Sequence, residues 1–351
     1  MTQKPSLSGV PLRELEIVLS PLPRYRAGQV FAWINSGLDS FQEMNNLPFA
    51  LRRELDGRFS LRKTTLVKKF EDEGNLKLQI AVSGGMVEAV ILVDRAGRRT
   101  ACLSTQLGCA MGCVFCRTGL MGLVRNLDSA EITEQFYHIR KFYPDIANIV
   151  FMGMGEPLLN LYELRRALEV LCRTMSPRRI TVSTCGLVDG IEGLASEGPS
   201  VRLAVSITTA REELRRRLMP VSAANPLPRL KEALLRHQAQ QRRRITLEAV
   251  LLGGINGGAE DAAAMSAFAE GLDVVVNLIP WNRVEGLRFE GRPLKEPEAA
   301  EIERFRSGLE RLGLKTVIRR KKGRGISGAC GQLGSTVDKD FDVNGTDTVA
   351  R

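Results

Sequence analysis

The chain has 351 residues, 44% of them hydrophobic and 26% charged, which is ordinary for a globular protein with ample length for a buried core. Fifty Lys and Arg stand against forty Asp and Glu, a net charge of +10, which favours a polyanionic partner, nucleic acid ahead of anionic membrane, although a merely basic enzyme fits the charge equally well. No apolar run is long enough for a membrane span and the N-terminus has no apolar leader core, so neither is expected and the protein reads as cytoplasmic.

In chain order, residues 1–62 read as short helices, with LRELEIVL and RAGQVFAWINS in helical spacing and Pro21 and Pro23 between them. They form a small helical N-terminal accessory domain. Residues 63–99 alternate apolar and polar, with Gly74-Asn75 and Gly84-Gly85 as turns, and predict an antiparallel β-hairpin extension. Residues 100–334 then alternate short apolar runs with amphipathic segments. Strands are expected at Ala101–Ser104, Asn148–Met152, Ile180–Ser183, Arg202–Ser206, Ile245–Leu251, Val274–Ile279 and Thr316–Arg319. Helices are expected at Ala130–Phe142 (after a cap at Asp128), Leu161–Thr174, Leu214–Leu218, Leu227–Gln240, Ala259–Ala269 and Glu296–Leu312. Six βα units predict an α/β fold with a parallel sheet, doubly wound or a partial barrel, and chemistry at the strand C-terminal ends. The polar stretch 335–351 is expected to be a disordered tail.

Only His138 and His237 are available, so a histidine-based metal site or a Ser–His–Asp triad lacks raw material. Seven cysteines in a reducing compartment need a use other than structural disulfides. Cys109-Ala-Met-Gly-Cys113-Val-Phe-Cys116 sits in the loop after the first βα strand and packs three thiols around one centre. Structural zinc wants four ligands, and no fourth Cys or His follows nearby. An iron–sulfur cluster on three thiolates leaves one iron open, which an amino acid's amino and carboxylate groups can chelate. Gly108 and Gly112 relieve crowding where backbone wraps the cluster. Cys172 and Cys185 read as small buried hydrophobes, Cys102 is ambiguous, and Cys330 lies in a glycine-rich segment that is a poor place to bury a thiol.

These residues resemble the RlmN/Cfr family of radical S-adenosylmethionine (SAM) RNA methyltransferases. The likeness runs from about residue 60 to 334. It includes QLGCAMGCVFCRTG, RNL at Arg125–Leu127, FMGMGEPLLN at Phe151–Asn160, RRITVST at Arg178–Thr184, NLIPWN at Asn277–Asn282 and ACGQL at Ala329–Leu333. Pro157 and Pro280-Trp281 tilt it toward the adenine-C2 branch, acting on 23S rRNA (adenine 2503) and tRNA (adenine 37), and away from the Cfr-like C8 branch. The resemblance implies a radical SAM partial (βα)6 barrel with one [4Fe–4S] cluster on Cys109, Cys113 and Cys116. It implies SAM bound through Gly155, Glu156, Ser183, Ser206, Ile207, Thr208 and Asn282.

It also implies a two-thiol mechanism. Adenine C2 is electron-poor and cannot attack a methyl donor, whereas a thiolate can. Cys330 would accept a methyl from one SAM. A second SAM, cleaved to a 5′-deoxyadenosyl radical, would take hydrogen from that methyl, and the carbon radical would add to C2. Glu88 would remove the C2 proton, and Cys102 would attack the sulfur of Cys330, releasing product and leaving a disulfide. An electron donor such as flavodoxin and a thiol reductant would serve a monomeric enzyme.

Basic clusters at Arg62-Lys63, Lys68-Lys69, Arg98-Arg99, Arg178-Arg179, Arg215–Arg217, Arg242–Arg244 and Arg319–Lys322 are expected to bind phosphates, and the target base must leave its stack. Two departures stand near the site. Ser206-Ile207-Thr208 replaces a common Ser-Leu-His, and Gly325 and Ser327 replace acidic residues. A divergent paralogue acting on another RNA, and a zinc-stabilised RNA-binding protein without catalysis, stay open as alternatives.

Overall fold

A computed structural model describes residues 4–319 and 325–334; the expected tail at 335–351 and Arg320–Lys322 of the last basic cluster lie outside the described residues. Three antiparallel strands, β1 (Thr65–Asp72), β2 (Asn75–Val82) and β3 (Gly85–Val93), lead into β4 (Arg99–Cys102). A separate hairpin of β5 (Gln106–Cys109) and β6 (Gly122–Asn126) follows. Then come β7 (Asn148–Phe151), β8 (Ile180–Thr184), β9 (Arg202–Ser206), β10 (Ile245–Leu251) and β11 (Val274–Pro280), a two-residue hairpin of β12 (Arg288–Phe289) and β13 (Arg292–Pro293), and β14 (Thr316–Ile318). The sheet runs β1-β2-β3-β4-β7-β8-β9-β10-β11-β14, parallel from β4 onward. This is the partial (βα)6 barrel expected, extended at one edge by β1–β3 and at the other by β14. The extension is a three-stranded meander continuous with the sheet, rather than a lone hairpin.

The helices are α1 (Leu12–Val18), α2 (Arg24–Ser36), α3 (Phe49–Arg58), α4 (Arg117–Leu120), α5 (Ser129–Arg140), α6 (Leu161–Leu171), α7 (Val188–Ser196), α8 (Glu212–Leu218), α9 (Leu227–Gln241), α10 (Ala259–Ala269) and α11 (Ala299–Arg311). Helix α5 starts one residue after Asp128, whose side chain accepts from Glu131 N while Glu131 reaches back to the Asp128 N–H, a reciprocal cap. Helix α7 went unread because VDGIEGLAS carries two glycines, poor helix formers. Both are needed: a Cβ at Gly190 would lie 2.6 Å from Leu158 Cβ, and one at Gly193 2.6 Å from Leu161 Cδ2. The cluster-loop hairpin was missed for a similar reason. Gly108, at φ 79°, has no room for a side chain, because the Gly122 carbonyl lies 1.9 Å from where its Cβ would stand, so the hairpin itself requires glycine here.

Alternation along the parallel strands sorts the core from the lumen. Ile149, Phe151, Ile180, Val182, Leu203, Val205, Leu247, Ala249, Val276 and Leu278 are buried in the main hydrophobic core. Their neighbours Thr100, Val150, Thr181, Ala204, Thr246, Glu248 and Asn277 line a lumen cavity of about 650 Å³. Residues between Leu7 and Leu61 gather a second apolar cluster that touches the barrel through Val170. No helix among the described residues is long and apolar enough to cross a membrane.

Candidate active site

Cys109 closes β5, and Cys113 and Cys116 follow in the loop that enters α4. That loop is held rigidly from behind. The buried Trp281 donates from its indole N–H to Phe115 O at 2.9 Å, and Val114 N donates to Leu218 O at 3.1 Å. All three thiols line one cavity of about 150 Å³ at the C-terminal ends of the parallel strands, with Gly155, Glu156, Ser183, Ser206, Asn282 and Cys330. The thiols act on one another: burial pushes Cys109 up to about 12, and the neighbouring Cys116, Cys113 and Glu156 push the same way.

The donor set fits an iron–sulfur cluster with bound SAM. Asn282 Oδ1 is a buried acceptor without a partner, on a side chain that faces this cavity. Gly155 sits at φ 101° with no room for a side chain, since a Cβ would stand 2.6 Å from Gln106 Cβ. Among the described residues no three Cys, His, Asp or Glu side chains converge on a single metal ion, so the four-ligand shell of structural zinc has no counterpart. A cubane cluster takes each thiolate on a different iron, and its ligands stand further apart.

The other expected residues divide. Glu156 lines the cavity, but its two oxygens accept from Leu158 N at 3.0 Å and Cys185 N at 2.7 Å, so it also fastens the end of β8. Ile207 is fully buried in the core and Thr208, at φ 57°, turns behind Ser206, with 3.4 Å between their hydroxyl oxygens. Neither lines the cavity. Thr208 is β-branched in the left-handed region, a strained placement, held because its carbonyl accepts from Asn256 Nδ2 and its N–H donates to Glu248 O.

Cys330 lines both the cluster cavity and the lumen cavity. Its loop is tied to the cluster loop: Arg117 N donates to Gly331 O at 2.9 Å, Thr118 Oγ1 to Leu333 O at 2.7 Å, and Asn282 Nδ2 to Cys330 O at 3.3 Å. Cys102 ends β4 and is buried. Burial pushes its thiol up to about 12 and the proximity of Cys330 adds to this, while Arg319 and the Met152 N–H pull it back. Glu88 is buried on β3, in an ion pair of 3.1 Å with the equally buried Lys77, and accepts from Gly334 N at 2.8 Å. The carboxylate therefore lies beneath the Cys330 loop rather than in either cavity. Removing one partner of a buried pair costs about 3–5 kcal/mol. Lys77→Met is expected to lose that much in denaturant unfolding; a loss under about 1 kcal/mol, the range of an exposed pair, would contradict it.

Gly325 explains one departure. Its N–H donates to Asp72 Oδ2 at 3.2 Å and a Cβ would stand 2.6 Å from that oxygen, so the carboxylate of Asp72 fills the space that a side chain at 325 would need.

The place of four residues at the site escaped the sequence reading, three of them having been read in other roles. Glu248 lines both cavities, accepting from Ser183 Oγ at 2.9 Å and Asn277 Nδ2 at 3.3 Å; a lone carboxylate inside a central strand was its signal. Cys185 packs against a buried apolar cluster as expected, but it also lines the cluster cavity with its sulfur 3.9 Å from that of Cys113. Arg215 is buried and donates to the carbonyls of Ser206, Ile207 and Cys185, fastening two strand ends. Arg319 enters both cavities. With Arg62, which donates to carbonyls of Leu61, Ile34 and Leu38, these two arginines correct the reading of every basic cluster as phosphate-facing. Arg98, Arg178, Arg179, Arg216, Arg217, Arg242 and Arg244 are exposed.

The Radical SAM superfamily model matches residues 103–264. A chain from Treponema denticola, named a "Probable dual-specificity RNA methyltransferase RlmN", is 45% identical over 339 residues, 95% of this chain and 96% of its own length. The Pelobacter propionicus dual-specificity RNA methyltransferase RlmN is 40% identical over 347 residues, 96% of this chain and 98% of its own. The crystal structure of a radical SAM methyltransferase from Sphaerobacter thermophilus matches with a TM-score of 0.87 at 36% identity, covering 94% of this chain and 99% of that one. This chain is thus an enzyme that uses a [4Fe–4S] cluster and SAM, and it belongs to the RlmN family of radical SAM dual-specificity RNA methyltransferases.

Proposed function

We propose that the chain methylates C2 of adenine in 23S rRNA (adenine 2503) and tRNA (adenine 37), in the cytoplasm, with Cys330 as methyl carrier. The observation that carries this reading is the place of Cys330: it faces the three cluster thiols across one cavity and opens into a second, larger one. Direct methyl transfer from SAM to a nucleophilic base would need no such thiol. Cys109, Cys113 and Cys116 would hold the [4Fe–4S] cluster, which would supply one-electron reduction to SAM.

The chain's own residues do the rest. Ser183, Ser206, Gly155, Glu156 and Asn282 hold SAM at the strand ends. The thiolate of Cys330 takes the methyl group of one SAM, which leaves as S-adenosylhomocysteine, and this methyl, after losing a hydrogen atom to the radical derived from a second SAM, bonds through its carbon to C2 of the base. Glu88 is the carboxylate that takes the ring proton from C2 of this adduct, and the one electron released with that proton would return to the cluster. The thiolate of Cys102 then attacks the Cys330 sulfur, the sulfur–carbon bond breaks with its electron pair going to the departing carbon, that carbon takes up a proton to become the methyl group of the product, and a Cys102–Cys330 disulfide forms. A dithiol reductant restores both thiols. A flavodoxin-like donor, a monomeric state, and a division at 1–62, 63–99 and 100–334 belong to the same proposal; the separate apolar cluster within Leu7–Leu61 supports the first boundary.

Mass analysis of nucleosides from separately treated rRNA and tRNA tests the reading. The expected product is 2-methyladenosine from both. Finding 8-methyladenosine alone would replace C2 by C8 chemistry, and a colourless anaerobic preparation carrying zinc would end the radical reading.

A further inference from the structure

Arg319 follows directly on β14, and its N–H donates to Leu278 O at 2.7 Å, so the backbone extends the ladder beside β11 and the side chain enters the lumen. There it lines both cavities beside Cys330. Its Nη1 lies 3.3 Å from Met152 Sδ, a neutral acceptor just past the end of β7, the strand paired with β4 and Cys102. Among the described residues no carboxylate comes within ion-pair distance of this guanidinium. The groups that act on its charge are Cys330 first, then Glu248 and Cys102. The oxygens of Glu248 are engaged by Ser183 and Asn277.

A cation taken into a cavity needs compensating negative charge, and the thiols are the groups placed to supply it. We infer that Arg319 is a positioning residue for the two working thiols, its guanidinium holding negative charge at whichever of Cys330 and Cys102 carries it. The thiolate is the reactive form. Methylated Cys330 is a neutral thioether, so from that step onward the same cation serves Cys102, the thiol that must attack next. The inference rests on the proposed function only for this order of events.

The test needs no RNA. Diamide (a thiol oxidant) takes two electrons and two protons from the Cys102–Cys330 pair as the sulfur–sulfur bond forms. The rate of that crosslink is measured against pH in anaerobic holoenzyme, by mass spectrometry of the joined peptides. Losing a cation beside a thiolate shifts its profile by about 1–3 pH units. Arg319→Gln and the volume-conserving Arg319→Met are expected to move the profile up by at least about one unit, while Arg319→Lys keeps the wild-type profile. Equal profiles in all four proteins would overturn the inference, and so would an equal shift in all three variants, which is the mark of a purely steric role. If one neutral variant does not fold, the other decides against Arg319→Lys. An 8-methyladenosine product would overturn the C2 reading and leave this result standing.

Discussion

Cys102→Ala is expected to stall the enzyme with RNA covalently attached, whereas Cys330→Ala yields neither adduct nor product. The difference follows from where the two thiols sit. Cys330 faces the cluster cavity and the lumen, the place that the proposed scheme requires of a thiol that takes the methyl and meets the base. Cys102 is buried at the end of β4, within electrostatic reach of Cys330 but outside the cluster cavity. It can act only on the sulfur of Cys330, after the carbon is joined to the base. Turnover is expected to fall on the order of 10⁶-fold in either variant, as for loss of an essential nucleophile. Denaturing gels with labelled RNA separate them: a shifted band with Cys102→Ala, none with Cys330→Ala. RNA methylation by Cys330→Ala would dismantle the two-thiol scheme. The burial of Cys102 adds a pH dependence. Burial holds the Cys102 thiol above the ordinary thiol range, and this cause persists in the adduct, so the thiolate is scarce at neutral pH. Decay of the wild-type adduct should therefore quicken as pH rises through the neutral range.

The parts legible in the sequence were those written in local spacing. The parallel strands alternate or run apolar, and the cysteine loop lies within eight residues. The reading failed where a residue's meaning depends on what lies across the lumen. Arg319 and Arg215 look like members of basic runs, yet one enters the cavity beside Cys330 and the other fastens strand ends. Cys185 looks like a small core residue until β8 brings it to Cys113. Ile207 and Thr208 are adjacent to Ser206, but the positive φ at Thr208 turns the chain and leaves only Ser206 at the cavity. Glu88 was reachable only through resemblance, since nothing in its strand says that Lys77 and the Cys330 loop enclose it.

Five cysteines line the cluster cavity; with Cys330 as the proposed methyl carrier, four are left as candidates for three iron ligands. Cys109, Cys113 and Cys116 share a loop held by Trp281 and Leu218. Cys185 belongs to another element, its N–H given to Glu156 and its carbonyl taken by Arg215. Its sulfur is 3.9 Å from Cys113, a spacing suited to two ligands of one ion and too close for two separate irons of a cubane. Cys113 and Cys185 therefore do not both hold irons of one cubane, and the loop shared with Cys109 and Cys116 favours Cys113 as the ligand in the proposed scheme. Cys113→Ala is expected to give a colourless anaerobic protein without SAM cleavage. Cys185→Ala keeps about four irons and four sulfides per chain, the content of one [4Fe–4S] cluster. Iron and sulfide analysis with the cluster's visible absorbance reads both. If Cys113→Ala holds iron that only a further Cys185→Ala removes, Cys185 can replace Cys113, and the loop spacing alone does not define the cluster.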